Sequence, residues 1–570
     1  MALTRWHVGR SLTTRWLLHT LVAMVLGLAA RPAAAQNQLW VRQFGTSSGE
    51  FVHASAPDAA GGAYLAGQTW GSLGGPFAGG FNDAWLARHD GAGNQLWIRQ
   101  LGGIRTDVAF ALAPDDASGV YVAGYTAGSL GGAPLGGLYD AWLARYDTAG
   151  NQLWIRQFGT NKVDGAYALA ADGSGGVFVA GETEGNLGAP NAGSSDAWLA
   201  RYDSAGNQLW VRQLGTSQYE QALGAAPDGS GGVHVNGVSL GGLGGPNAGV
   251  ADGWLARYDG AGNQLWIHQL GTSGIDIAAS AAEDTSGGVY VSGYTEGSLA
   301  GPHAGGQDAW LARYDSAGNQ LWIRQLGSSG PDSANAAAPD GSGGVYFSGS
   351  TTGSFGGPNA GKADAWLARY DSAGNQLWIE QLGTSQDDLG SAAAPDGLGG
   401  LYVSGRTYGS LGGPHLGNAD VWLARYELCG SNSTYCTAKT NSAGCPPSIA
   451  ASGNPSASAG SGFTITTSNV LDNEFGLYFY SKSGPINVLF QGGFLCAQPP
   501  LVRTMLQNSG GTPPCGGSFQ IDFNAYIASG KDPALVAGQK VWLQAWSRDP
   551  GFAPPNNTSL SDAVSSTICP

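Results

Sequence analysis

No cysteine occurs in the first 428 residues, and the whole 570-residue chain holds only 26 lysines and arginines against 41 acids. The shortage of cations leaves a net charge of −15 and no basic stripe able to release counterions from a phosphate backbone, so nucleic acid is not an expected partner. After residue 35 no apolar run is long enough to cross a membrane. No G-x-S-x-G elbow, H-E-x-x-H helix or phosphate loop occurs in a usable context, and there is no D-x-D-x-D-G calcium loop. These absences remove the familiar catalytic constellations.

What is present begins with a targeting signal. Arg5, Arg10 and Arg15 precede a mostly apolar stretch from Trp16 to Ala30, and Ala33-Ala34-Ala35 offers a small-residue cleavage site before Gln36. This pattern predicts a secretory signal peptide over residues 1–35, and so a secreted or cell-surface protein. Glycine is abundant at 95 residues, yet aromatics make up 10 %. Disordered glycine-rich tracts lack that aromatic content, so the glycines are assigned to tight turns in a packed protein.

The dominant feature is a repeat. A W-L-A-R tryptophan recurs at Trp85, Trp142, Trp198, Trp254, Trp310, Trp366 and Trp422, in steps of 56 or 57 residues. An N-Q-L-W tryptophan recurs at Trp40, Trp97, Trp154, Trp210, Trp266, Trp322 and Trp378. Within one unit, Asp332 to Pro339 is a run of small residues and Gly344 to Gly349 is a β-branched and aromatic strand. Asp364 to Asp371 and Gln376 to Leu382 form a hairpin around S-A-G-N. Four strands per unit describe one propeller blade, with small residues inside and tryptophans outside to suit a wedge. The chain enters on a lone outer strand, Gln38 to Phe44, and leaves the repeats on a third strand, Val421 to Tyr426. The first strand is therefore expected to complete the last blade and leave no open edge.

The units resemble the seven-bladed β-propeller repeat family of secreted bacterial proteins over residues 37–427. Trp322, Gln325, Gly327, Asp340, Gly343, Tyr346, Gly349, Thr351, Asp364, Trp366 and Tyr370 carry the resemblance. It implies a ring and export and transfers no single activity. The expected fold is all-β, with a seven-bladed propeller over 36–428 followed by a small disulfide-bonded β-sandwich over 429–570.

That tail holds all six cysteines: Cys429, Cys436, Cys445, Cys496, Cys515 and Cys569. An even number in an exported chain implies disulfides, and the lack of a C-x-x-C pair or nearby His argues against zinc. Spacing favours local bridges Cys436–Cys445 and Cys496–Cys515, leaving Cys429 with Cys569. Strands are expected over 463–470, 476–481, 486–490, 519–523 and 540–546, with Trp542 and Trp546 as sugar contacts if exposed. The cysteine-rich stretch, with later F-L-C, R-D-P and L-S-D-A, resembles a C-terminal module of large exported bacterial proteins.

The seven copies also act as an internal alignment for site searching. Glu50, Asp107, Asp164, Glu220, Asp276, Asp332 and Asp388 stand where each inner strand begins, and calcium at this acidic mouth is the single metal candidate. Local capping by nearby amides is the favoured alternative, because Asp side chains bond such groups readily. No other cofactor is implied. Variation between copies is greatest before the inner strand, as at Arg105, Lys162 and Tyr219, and after the second strand, as at Gln68, Tyr125, Glu182, Tyr294 and Arg406. Both places share one face with the glycine-rich loops, where binding on a rigid scaffold usually resides. The leading expectation is an exported, monomeric, non-catalytic scaffold that presents this face to an extracellular glycan or protein. The alternative is a polysaccharide-active enzyme.

Overall fold

The computed structural model of the chain describes residues 36–115, 119–397, 400–428, 432–512, 514–536 and 539–569. The predicted signal peptide lies outside them. Seven four-stranded antiparallel sheets account for residues 36–428, in a propeller-like arrangement. In the sheet of residues 332–382 the strands are Asp332–Pro339, Val345–Thr351, Asp364–Tyr370 and Gln376–Leu382, paired in chain order from inner to outer.

Sequence dictates the roles of these strands. The second strand, such as Val345–Thr351, is nearly all β-branched, aromatic or small, and is buried along its length. The third strand buries its W-L-A core, and all seven of its tryptophans are 0–1 % exposed. Trp142 packs beside Tyr64, Leu86, Val120 and Val122, so each indole fills the gap to the preceding sheet. Truncating a ring of this kind to alanine costs about 3–5 kcal/mol. Outer strands begin with two solvent-facing residues, as in Gln320–Leu326.

Polar latches join neighbouring sheets. Arg88 pairs with Asp58 at 2.8 Å and donates Nη1 to the Thr148 carbonyl of the next sheet's hairpin at 2.7 Å. Trp97 Nε1 donates to the same carbonyl at 2.9 Å. That hairpin turns on Gly150, at φ +77°, where a Cβ would also meet the Trp97 ring at 2.7 Å. Glycine is required there twice, by the backbone and by the neighbour.

The same contacts run from the last sheet to the first. The strand Gln36–Phe44 pairs antiparallel with Asp420–Leu428, Phe44 opposite Val421 and Gln38 opposite Tyr426. Arg425 donates to Gly91 O at 2.8 Å, and Tyr402 Oη donates to Gly61 O at 2.7 Å. Glu50 N donates to Ala419 O at 2.8 Å, and the inner strands Glu50–Pro57 and Asp388–Pro395 touch.

The tail builds a six-stranded sheet and a three-stranded sheet on one apolar core that includes Ile465, Phe519, Tyr478, Leu543 and Val564. The expected strand over 519–523 ends one residue early. Phe523 instead opens a short helix, Phe523–Ala528, whose N-terminus the Asp522 side chain caps through Ala525 N. The expected local bridges are replaced by longer ones, Cys436–Cys496 and Cys445–Cys515. Cys436 follows Asn432–Tyr435, where Tyr435 Oη donates to the Cys496 carbonyl at 3.0 Å, and Asn441 links the second pair, accepting from Cys445 N at 3.0 Å while its Nδ2 lies 3.9 Å from Cys515 Sγ. Cys569 is also disulfide-bonded, whereas Cys429 lies outside the described residues. Disulfides of this kind point to an oxidising compartment.

Two outcomes follow from this packing. Deleting residues 36–44 strips a strand from the last sheet and bares the edge of Asp420–Leu428. Light scattering should then detect concentration-dependent aggregation, and a soluble monomer of unchanged melting temperature would contradict this assignment. His234 stands buried where other sheets place Tyr64, Tyr121, Tyr290, Tyr346 or Tyr402. Burial, with a smaller contribution from Arg257, holds its pKa down to about 4. The unfolded chain therefore binds more protons between that value and about 6.5, and stability is lost as pH falls through this window. His234→Tyr should widen its advantage in unfolding free energy by about 2 kcal/mol between pH 7 and pH 5. A gap independent of pH counts against the argument.

Candidate functional site

Each inner strand carries a β-bulge. On Glu50–Pro57 the register runs Val52 opposite Gly67 and then Ala54 opposite Ala66, so His53 has no partner residue on the second strand. The bulge pushes a carbonyl, Phe51 O in this sheet, against Gly67, where a Cβ would overlap it. The bulged residues are His53, Phe110, Tyr167, Leu223, Ala279, Asn335 and Ser391. All seven line one cavity of about 510 Å³ bounded by every inner strand. A bulge re-aims a side chain away from the sheet, here into the central channel.

The seven bulged residues are all different, and they divide the channel. His53, Phe110, Tyr167 and Leu223 are large and consecutive in sheet order, whereas Ala279, Asn335 and Ser391 are small. On the large side His53 and Phe110 stack at 4.7 Å, Phe110 meets Tyr125 at 5.4 Å and Tyr125 meets Tyr139 at 4.5 Å. Glu182 is buried and accepts hydrogen bonds from Tyr167 Oη at 2.7 Å and Tyr219 Oη at 2.6 Å. Burial, chiefly, and the Glu182 carboxylate push both phenols above the ordinary tyrosine range. At the other end the Arg406 guanidinium lies 5.2 Å from the Phe51 ring centroid, and Phe51 packs on Trp70 at 5.0 Å. Burial first, and to a smaller extent Arg406, hold the His53 pKa down to about 4 against a hydrogen bond to Gln68 that raises it. His53 is therefore a neutral imidazole at neutral pH.

The structure thus brings Tyr125, Glu182, Tyr219, Gln68 and Arg406 to the channel rim. Arg105 and Lys162 are exposed on the preceding loops, and Tyr294 is half-buried on the second strand Val289–Thr295, with no ring contact among the described residues. Neither are the histidines gathered. His303 and His415 each approach an aspartate of their own loop, Asp308 at 3.6 Å and Asp420 at 3.3 Å.

The acids at the start of the inner strands turn into their own loops. Glu50 accepts from Thr46 N at 2.7 Å and Thr69 Oγ1 at 3.0 Å. Asp164 does the same with Thr160 N at 2.6 Å and Thr183 Oγ1 at 2.5 Å, and Glu220 with Thr216 N at 2.5 Å and Ser239 Oγ at 2.9 Å. Asp276 accepts from Thr272 N at 2.5 Å, Asp332 from Ser328 N at 2.5 Å, Asp388 from Thr384 N at 2.5 Å and Asp107 from Gly103 N at 2.7 Å. Burial raises the pKa of Asp107, Asp164, Asp332 and Asp388, with a smaller push from the aspartate opening a neighbouring third strand. That second set, Asp83 and its counterparts, accepts from an outer-strand glutamine, as Asp83 does from Gln100 at 2.7 Å. The repeated arginines pair instead with a third set, Asp58 through Asp396.

The chain carries the Beta-propeller repeat, whose family matches residues 153–188. Regulatory protein FlaEY of Caulobacter vibrioides is 32 % identical over 240 residues, which cover 39 % of this chain and 24 % of that protein. An uncharacterized WD repeat-containing protein, L264 of Acanthamoeba polyphaga mimivirus, is 21 % identical over 270 residues, or 41 % of this chain and 17 % of that one. The chain thus spans less than a quarter of the length of these curated relatives. Among solved structures, the Pan2 WD40 domain of Neurospora crassa matches 69 % of this chain and 96 % of its own, at 10 % identity and TM-score 0.40. A PL25 ulvan lyase matches 67 % and 95 %, at 12 % identity and TM-score 0.37.

The propeller repeat accounts for the invariant positions and leaves the bulge column to be explained. Sequence reading passed over Phe51, Phe110, Tyr139 and Tyr167. The signal was available: three residues after each opening acid, seven copies hold seven different residues, flanked on both sides by almost uniformly small ones.

The acid geometry gives a testable result for calcium. The ion takes about six to eight oxygens, whereas the opening acids here already accept from their loops. Millimolar calcium should leave the melting temperature of the protein unchanged. Selective binding at 100 times the dissociation constant would add roughly 2.7 kcal/mol. A calcium-dependent rise that disappears in an Asp276→Asn/Asp332→Asn variant would establish the acids as a metal site.

Proposed function

We propose that residues 36–428 form a closed seven-bladed propeller, exported by the segment 1–35, that presents its loop-rich face and channel mouth to an extracellular glycan or protein ligand. The tail over 429–570 acts as a separate disulfide-locked module. The observation that carries this reading is the contrast between columns. Latch residues repeat from sheet to sheet, whereas the bulge column and rim change at every step and gather aromatic and charged groups on one side. Support for closure comes from the pairing of Gln36–Phe44 with Asp420–Leu428 and from last-to-first latches of the same kind as all the others.

A binding role also fits the chemistry of the mouth. Glu182 is committed to two phenols, which a positioned binding group tolerates better than a free general acid or base does. A screen of the purified chain on immobilised extracellular glycans and against surface proteins tests this reading. Binding should weaken at least about tenfold, a loss of about 1.4 kcal/mol, when Tyr125 and Phe110 are both changed to alanine. Ligand binding indifferent to that double change would move the site elsewhere. Release of reducing ends from a bound polysaccharide would replace the scaffold reading by an enzyme.

A further inference from the structure

Among the seven equivalent rim positions, Gln68, Tyr125, Glu182, Val238, Tyr294, Ser350 and Arg406, one alone is cationic. Arg406 differs from the arginines of the latches. Each of those sits on a buried aspartate, whereas among the described residues no carboxylate comes within ion-pair distance of Arg406. Its guanidinium is held on the Phe51 ring, and its Nε is buried without a hydrogen-bond partner. A buried N–H left without an acceptor is costly, and a ligand oxygen would offset that cost. Near it, His53 Nε2 is likewise buried without a partner, and His53 lines the same cavity.

The groups next to this cation define the rest of a ligand. His53, Phe110 and Tyr125 form a continuous stack running away from Arg406. Around the rest of the cavity wall lie Ser391, on the strand that touches that of His53, Asn335, whose Nδ2 donates to Gly390 O at 2.9 Å and whose Oδ1 remains to accept, and Ala279, which leaves space. The cavity of about 510 Å³ falls within the range of small-ligand pockets, roughly 300–1,000 Å³. Aromatic faces on one wall, short polar side chains elsewhere and a single guanidinium suit a compact ring with one apolar face, several hydroxyls and one negative group. The net charge of −15 disfavours a dense polyanion, which one arginine could not balance.

We propose that the Arg406 side of the channel mouth binds an anionic saccharide, with its carboxylate or sulfate oxygens on the Arg406 guanidinium and a sugar face against Phe110 and Tyr125. The inference rests on the reading of this face as a ligand-presenting surface and specifies its ligand class. Guanidinium forms bidentate hydrogen bonds with planar carboxylates and with sulfate-like oxygens, so both sources share one recognition chemistry.

Calorimetric titration of the purified chain with digalacturonate, its neutral dimethyl ester and a monosulfated neutral disaccharide tests the proposal. One charged ligand should bind at least about tenfold more tightly than the ester, and the stronger of the two identifies the source of the anion. Arg406→Gln should erase that preference and retain the weak binding of the ester. Phe110→Ala should weaken all three ligands. Lys162→Gln, which alters an exposed cation on the same face, should leave the preference intact. Melting curves of the variants check that the fold survives. Equal binding of charged and esterified forms, or a preference that persists in Arg406→Gln, overturns the anionic inference and leaves the ligand-presenting face standing. Binding of none of the three overturns the inference, and a protein bound in the surface screen would then keep the broader reading alive.

Discussion

The repeated steric contact between a bulge carbonyl and a glycine shapes the rest of this molecule. On each inner strand one carbonyl is driven into the second strand, at Gly67, Gly124, Gly181, Gly237, Gly293, Gly349 and Gly405, and none of these sites has room for a Cβ. The requirement recurs unchanged because the backbone geometry recurs unchanged. Its effect is to free one side chain per sheet from any packing duty within that sheet. Framework and specificity are therefore separated by backbone geometry: the glycine cannot vary, and the residue beside it can.

The polar layer has a similar division of labour. Three sets of aspartate or glutamate serve each sheet, and only their partners tell them apart. One set ties loop to inner strand, one ties outer-strand glutamine to the long loop, and one anchors the arginine that reaches the next hairpin. The aspartates opening the third strands keep one oxygen, Oδ1, buried without a hydrogen-bond partner, and they lie near the acids opening the inner strands.

Much of the architecture was legible in sequence because tryptophan and glycine recur at a fixed period. The inner strand Asp332–Pro339 and the outer strand Gln376–Leu382 coincide with the small-residue run and the hairpin arm read from the sequence. The rim was legible in part, since Gln68, Tyr125, Glu182 and Arg406 stand in a visibly variable column. The bulge column was harder to read. Strand periodicity assigns alternate residues to alternate faces, and a bulge breaks that count by one. Arg406 looked no different from Arg105 or Lys162 until its ring partner and missing carboxylate were visible. In the tail, loop length favoured neighbouring cysteines. Tertiary packing instead brought Cys436 to Cys496 and Cys445 to Cys515, a long-range outcome that spacing cannot encode.

The pairing of Gln36–Phe44 with Asp420–Leu428 also sets an order of events during synthesis. The strand made first is used last, because its partner emerges hundreds of residues later, as the separation of 377 between Gln43 and Asp420 records. Until then the first strand is an unpaired ribbon with nothing to hydrogen-bond, while complete sheets accumulate behind it. Such long-range pairing slows folding, since the chain must search for its own beginning before the last sheet is whole. A ribosome stalled within the seventh repeat would therefore hold six finished sheets and a free sticky end, a state that a chaperone rather than further packing must keep from joining a neighbour.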